Sequence, residues 1–462
     1  MKLLFKGDTR ATKIIKKISL QPDAAYMLSR FAYPMETDGR YFLSSTLTNQ
    51  VYELDTEEWE DLQSGIFAGK YCDELAKVGV LVEKGYDELS KYHMILKTLR
   101  TMSKKPNGLS QYTILPTTAC NARCTYCYEE GIIPISMTRE TADAVIDFVC
   151  RTRHDGKIRI DWFGGEPLIG ASTISYICRG MRDCGVEFSS GITTNATLLT
   201  PEMILEAKEL WNLERAQVSM DGARADYESR KLYVNPERHN YDVAMKAVGM
   251  LSDAGVSVFI RCNYDEGNLI RLPEFYNDCR KRFGDKENVT VYTSQLFQSS
   301  AEKREDKLCF DVEDMEKLLG KLGGAAQASL PVRLRSRYCM SDFSGSNIII
   351  DPQGGLHKCE HYLSPEDAIG SIYDETLPTW EWNEEDEAEI CRNCRFLPTC
   401  TPFRRVGCPV KPENCREERE IYLKQALQNY LKNLEKEPSS VSAYEDAEDA
   451  DFACELPDDN PC

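Results

Sequence analysis

The chain has 462 residues, of which 42% are hydrophobic and 10% aromatic, enough for about three packed domains. Its net charge of −19 argues against a nucleic-acid binder, whose footprint is a basic face. Its 19 cysteines, in a chain this long that opens on MKLLFKGDTRATKI with no apolar signal-peptide core, read as reduced cytoplasmic thiols used as metal ligands. No apolar run reaches the roughly 18 residues of a membrane span.

Residues 1–105 read as a small α+β domain. Arg40–Thr46 and Val51–Asp55 have strand composition, and Asp55 with Glu58 forms a capping box for a helix over Glu57–Gln63. Lys70–Val78 reads as a second helix, Val80–Lys84 as a strand after the Gly79 break, and Tyr86–Arg100 as a linker helix. Strands and helices ending in a β-wing resemble the small winged-helix domains that hold leader peptides. A structural cap is the plainer reading of the same residues.

Residues 106–300 alternate strand and helix. Strands are expected at Gln111–Leu115, Ile158–Trp162, Glu187–Thr194, Ala216–Met220, Val256–Cys262 and Val289–Gln295. Helices fall between them at 138–152, 171–184, 201–211, 241–253 and 270–283. This is an α/β pattern with a parallel sheet. Six strands are fewer than the eight of a closed barrel, so a partial, open-sided (β/α)6 barrel is expected. Residues 301–420 hold many cysteines in short Gly- and Pro-rich loops and read as a metal-stapled domain. Residues 421–462 read as a polar helix (within 417–436) and a tail carrying eight acids beyond Pro438, expected to be disordered.

The most telling run is Cys120-Asn-Ala-Arg-Cys124-Thr-Tyr-Cys127, directly after the first barrel strand. It supplies three thiolates, where zinc and ordinary ferredoxin sites take four protein ligands. A zinc site or buried core cysteines is the competing reading. The spacing, with Tyr126 before the last cysteine, resembles the signature of the radical S-adenosylmethionine (SAM) superfamily. The resemblance implies a [4Fe–4S] cluster on Cys120, Cys124 and Cys127, with SAM chelating the fourth iron and one-electron cleavage giving a 5′-deoxyadenosyl radical. It further implies SAM contacts from Tyr126, from Gly164, Gly165, Glu166 and Pro167 after the second strand, and from Thr194 and Asn195 after the third. Ser219 on the fourth strand and Arg261 on the fifth complete the set. Many relatives carry Gly where Ala196 stands. Asp221, after the fourth strand, is the candidate base or substrate contact.

A second cysteine system, Cys339-x14-Gly354-x4-Cys359 and Cys391-x2-Cys394-x5-Cys400 followed by Cys408 and Cys415, resembles the SPASM domain with two auxiliary [4Fe–4S] clusters. By the family's arrangement Cys391, Cys394, Cys400 and Cys415 fill one cluster. Cys339, Cys359 and Cys408 hold the other, with Cys309 a possible fourth ligand. The interval from Cys400 to Cys408 is x7 where the family has x3, and two structural zinc sites fit the same cysteines. Cys150, Cys178, Cys184, Cys262 and Cys279 read as core residues, and His361 as a surface residue.

The resemblance implies a peptide maturase of an anaerobic cytoplasm. It would take a ribosomally made precursor peptide, its leader on the N-terminal domain, and draw electrons from a flavodoxin or ferredoxin, with neither nucleic acid nor membrane as partner. A Cys thioether cross-link is the expected product. An anaerobic sulfatase maturase is the runner-up, and a non-catalytic metal-stapled peptide-binding protein is the reading from a different class.

Overall fold

The computed structural model describes residues 1–5, 25–65, 67, 70–103, 108–127, 129, 131–265, 267–296, 347–357, 363–378 and 389–399, with isolated positions between 416 and 431. Cys309, Cys339, Cys359, Cys400, Cys408, Cys415, His361 and the acidic tail lie outside the described residues.

The N-terminal region holds β1 (Lys2–Phe5), β2 (Tyr26–Leu28), β3 (Ala32–Thr37), β4 (Arg40–Ser45), β5 (Gln50–Leu54), α1 (Thr56–Ser64), α2 (Lys70–Lys77), β6 (Leu81–Glu83) and α3 (Glu88–Ser103). Strands pair in the order β1-β5-β4-β3, all antiparallel, while β2 pairs with β6. The capping box forms as read: the Asp55 carboxylate accepts from the Glu58 N–H and the Glu58 carboxylate from the Asp55 N–H. Sequence reading missed β1, β2 and β3, which are short or interrupted by Pro34.

The central region runs β7 (Gln111–Ile114), α4 (Arg139–Thr152), β8 (Ile158–Trp162), α5 (Ala171–Asp183), β9 (Phe188–Thr194), α6 (Pro201–Glu209), β10 (Leu213–Met220), α7 (Arg224–Lys231), α8 (Tyr241–Asp253), β11 (Ser257–Tyr264), α9 (Leu272–Phe283) and β12 (Val289–Gln295). The strands β7 to β12 lie side by side in chain order and all parallel. Side-chain caps start the helices cleanly: Thr138, Thr200 and Asn240 accept from Thr141, Met203 and Val243 N–H. Alternation then sorts each strand by face. Ala216, Val218, Met220, Val258, Ile260 and Cys262 are buried in the same core as Trp162, Trp211 and Phe275. Their neighbours Gln217, Ser219, Phe259 and Arg261 point to the other face and are half-buried.

The sheet does not end where the third domain was expected to begin. β13 (Asn347–Ile350) adds parallel to β7, and β14 (Gly355–His357) and β15 (Gly370–Ser371) follow antiparallel, giving an open nine-stranded sheet. Ile348, Ile350, Leu356 and Ile372 enter the central core. A strand with three consecutive isoleucines covers the edge of β7, so this part of 301–420 needs no metal to be packed.

Two further expectations change. The residues 417–436 were read as a polar helix, yet helical Leu423, Leu427 and Leu431, spaced four apart, pack against Met35, Phe42 and Val51. Cys178, Cys262 and Cys279 are core residues as expected, but Cys184 is exposed after α5 and Cys150 is half-buried. No helix among the described residues is long and apolar enough to cross a membrane.

Candidate active site

The loop after β7 carries Cys120, Cys124 and Cys127 and is tied down on two sides. On one side, Ala122 bridges Tyr233, the Arg123 N–H donates to the carbonyls of Lys231 and Leu232, and the Thr125 N–H donates to Arg230. On the other it meets the Phe163-Gly-Gly-Glu-Pro167 turn, where the Gly165 and Glu166 N–H groups donate to Thr117 and Ala119. The two glycines do more than turn the chain. Gly164 has φ of +125°, and a Cβ there would lie 2.2 Å from the Thr117 carbonyl oxygen. A Cβ on Gly165 would lie 2.5 Å from the Thr118 oxygen. The loop approaches so closely that only glycine fits.

The neighbouring strand ends converge on this loop. Glu166 is fully buried and accepts from the Thr194 hydroxyl at 2.6 Å, the Asn195 N–H at 2.8 Å and the Leu168 N–H at 3.2 Å. Burial raises its pKa, tempered by those donors. Asn195 donates to Asn121 Oδ1 at 2.8 Å, and Asn121 donates to Thr197 at 3.1 Å. Ala196 is buried and has φ of +61°. Pro167 is buried at the start of a short 3-10 turn. Ser219 and Arg261 are register neighbours on β10 and β11, and Arg261 donates to the Ser294 hydroxyl at 3.0 Å.

Asp221, the candidate base or substrate contact, lies in a buried polar cluster. It is fully buried. Its Oδ1 accepts from the Tyr126 hydroxyl at 2.5 Å and from Asn263 at 3.1 Å, and the Lys231 ammonium lies 3.4 Å from Oδ2. Lys231 also donates to the Tyr126 oxygen at 3.2 Å. Asn268 anchors the group from below through the Asp221 and Asn263 carbonyls. Lys231 was not anticipated from the sequence. It ends α7, a helix of very polar composition that buries Asp226, Tyr227 and Lys231 together and so carries no apolar stripe to read. Burial works against the Lys231 charge, but Asp221 and the other acidic groups around it outweigh that and hold its pKa up.

The three thiols suit a polynuclear metal group. Burial is the first cause lifting all of their pKa values, Cys120 to about 12 and Cys127 to about 11, and the charge of Cys124 adds to the rise at both of these. Lys231 is the main influence stabilising a Cys124 thiolate. The Ala122 N–H donates to Cys120 Sγ at 3.4 Å, a contact that favours a charged sulfur. Among the described residues no three His, Cys, Asp or Glu side chains converge on one point as ligands of a single ion would. A cluster of several irons spreads its thiolate ligands more widely, and the donor set of three soft sulfurs matches it.

Of the second cysteine system, Cys391 and Cys394 are described. They lie half-buried on one turn formed by α10 (Glu389–Arg392) and the residues after it, with the Cys394 N–H donating to the Cys391 carbonyl at 2.9 Å.

A parallel α/β sheet carries a three-thiol loop after its first strand, and the ends of the next strands meet that loop. Residues 114–267 match the Radical SAM superfamily model, and the chain carries a radical SAM domain. It is 27% identical over 276 residues to an uncharacterized protein of Methanocaldococcus jannaschii, across 58% of this chain and 90% of that one. It is 23% identical over 334 residues to the serine-type anaerobic sulfatase-maturating enzyme of Bacteroides thetaiotaomicron, across 61% of this chain and 78% of the enzyme. The structure of native anSMEcpe with bound AdoMet superposes with a TM-score of 0.55 at 14% identity, covering 70% of this chain and 99% of that one. That likeness establishes the fold.

Proposed function

We propose that this radical SAM enzyme modifies a ribosomally made precursor peptide, with a Cys thioether cross-link as the product. The observation that carries the reading is the three-thiol loop of a radical SAM domain set behind an N-terminal α+β domain of about a hundred residues. Bound to Cys120, Cys124 and Cys127, a [4Fe–4S] cluster with SAM would supply a carbon radical able to take a hydrogen atom from an unactivated position. The chain's own residues do the rest. Gly164 and Gly165 let the loop lie on the second strand end, Glu166 orients the Thr194–Asn195 segment, and Ser219 and Arg261 line the open face of the sheet for SAM. Asp221 acts as a positioning residue: it clamps Tyr126 and holds Lys231, whose ammonium favours a Cys124 thiolate. Cys339, Cys359, Cys391, Cys394, Cys400, Cys408 and Cys415 would carry auxiliary clusters, and a flavodoxin or ferredoxin would be the electron donor.

The second reading is a sulfatase maturase, favoured by the likeness to the Bacteroides thetaiotaomicron enzyme. Anaerobic reconstitution followed by an assay for 5′-deoxyadenosine tests the shared chemistry, and Cys124→Ala should abolish that product. A Cys124→Ala protein that still cleaves SAM would sink the cluster assignment. Mass spectrometry then separates the two peptide readings. A thioether product is two hydrogens lighter than its substrate, whereas a sulfatase maturase product carries an aldehyde that hydrazides label.

A further inference from the structure

We infer that the N-terminal domain is the seat of the C-terminal metal centre: it holds the Cys391–Thr399 turn in the shape that presents its two thiols. This rests on the reading that Cys391 and Cys394 are metal ligands. Three side chains of the N-terminal domain, from three separate segments, donate to three main-chain carbonyls of that turn. The Arg30 guanidinium donates to the Arg392 carbonyl and, at 3.2 Å, to Asn393 Oδ1. The Thr46 hydroxyl donates to the Arg395 carbonyl, and the Tyr92 hydroxyl to the Leu397 carbonyl at 3.3 Å. Arg30 is itself placed by Glu88, whose buried carboxylate accepts from the Arg30 N–H at 2.8 Å and from the Ser29 hydroxyl.

Apolar contacts lock the same turn. Phe396 is buried against Met35, Phe42 and Val51, and meets the Tyr33 ring edge-on at 5.5 Å. Leu397 is buried in a second cluster with Phe31, Leu47, Tyr92 and Ile95. Cys394 packs against the first cluster and Cys391 against the second. The turn has little stability of its own, being one four-residue helix followed by a 3-10 turn. A metal site seldom exists before its ligands are ordered. In this protein the order is supplied by residues more than three hundred positions earlier in the chain.

The test uses the full-length chain, reconstituted anaerobically with iron and sulfide, with iron counted per chain and hydrogen exchange read peptide by peptide. Cys391→Ser with Cys394→Ser defines the iron that depends on this turn. If that double variant loses none, the ligand reading fails and takes the inference with it. If it does lose iron, a variant combining Arg30→Gln, Thr46→Val and Tyr92→Phe should lose the same share. Its iron on Cys120, Cys124 and Cys127 and its 5′-deoxyadenosine production should stay. In the metal-free protein, exchange across 389–399 should quicken at least tenfold, with 111–114 unchanged. Full iron retention in the combined variant overturns the inference. Should that variant lose all its iron, the single Tyr92→Phe and Arg30→Gln variants decide by the same ratio.

Discussion

The two cysteine systems are held in opposite ways. Cys120, Cys124 and Cys127 lie on a loop braced by the strand ends that follow it in chain order, from β8 to β11. Cys391 and Cys394 lie on a turn braced by Arg30, Thr46 and Tyr92, which are separated from their partners by 362, 349 and 305 positions. The first bracing uses a buried charge cluster and close main-chain approach. The second uses neutral donors, one arginine and two apolar clusters. The two centres should therefore fail independently, and by different amounts.

The largest blow to the first centre should be Lys231→Met, which leaves Asp221 buried without its cation. Lys231 and Asp221 side chains are 5% and 0% exposed, so solvent screens them little. Removing one partner of such a pair costs about 3–5 kcal/mol. Denaturant unfolding followed through Trp162 and Trp211, both buried in the central core, should show that loss. A shift under about 1 kcal/mol would mean that the pair does not brace the loop. Lys231→Arg should recover part of it. Next comes Gly165→Ala, whose Cβ would meet main-chain atoms of Thr118 and Ala119. Overpacking of this kind costs about 1–3 kcal/mol. The iron held by the three-cysteine loop should fall while hydrogen exchange at 389–399 stays as it was. A parallel change at both centres would break the contrast.

Tyr126→Phe is smaller. It removes the hydroxyl that donates to Asp221, and hydrogen bonds to charged groups contribute about 1.5–3 kcal/mol, part of which Asn263 and Lys231 would retain. Retention of SAM cleavage with weaker cluster binding would mark Tyr126 as a positioning residue.

The contrast also explains what could be read in advance. The parallel sheet was legible because short strand-like segments alternate with longer helical ones, three of them opened by a side-chain cap, and Ile158–Trp162 and Tyr241–Asp253 fall where the pattern puts them. That the cysteine loop, the Gly-Gly-Glu turn and the Thr194–Asn195 segment meet at successive strand ends was legible, because each follows a predicted strand. Lys231 was not, because α7 buries polar groups and so breaks the rule that burial is apolar. Asp221 was legible as a special residue but not in its surroundings. Only the fold brings Tyr126, Lys231 and Asn263 around it, from separations of 95 positions and fewer. The seat of Cys391 and Cys394 was invisible, since nothing local to that turn points to Arg30 or Tyr92.

The finest test concerns the alanine at the end of the third barrel strand, which holds a left-handed backbone conformation. Ala196 adopts φ of +61° while fully buried, a conformation that costs a residue with a Cβ about 1–2 kcal/mol. Ala196→Gly relieves that strain. It also frees the unfolded chain, at about 0.4–1 kcal/mol, and removes a buried methyl, at about 0.8 kcal/mol. These terms nearly cancel, so stability should change by less than about 1 kcal/mol in either direction. The Ala196 N–H donates to Thr194 Oγ1 at 2.8 Å, so the turn is held by its neighbours rather than by the alanine. Iron content and SAM affinity should therefore be unchanged. A loss of more than about 2 kcal/mol would mean that the methyl group packs the Thr194–Asn195 segment against the three-cysteine loop, and that a side chain at this position is part of how the site is shaped.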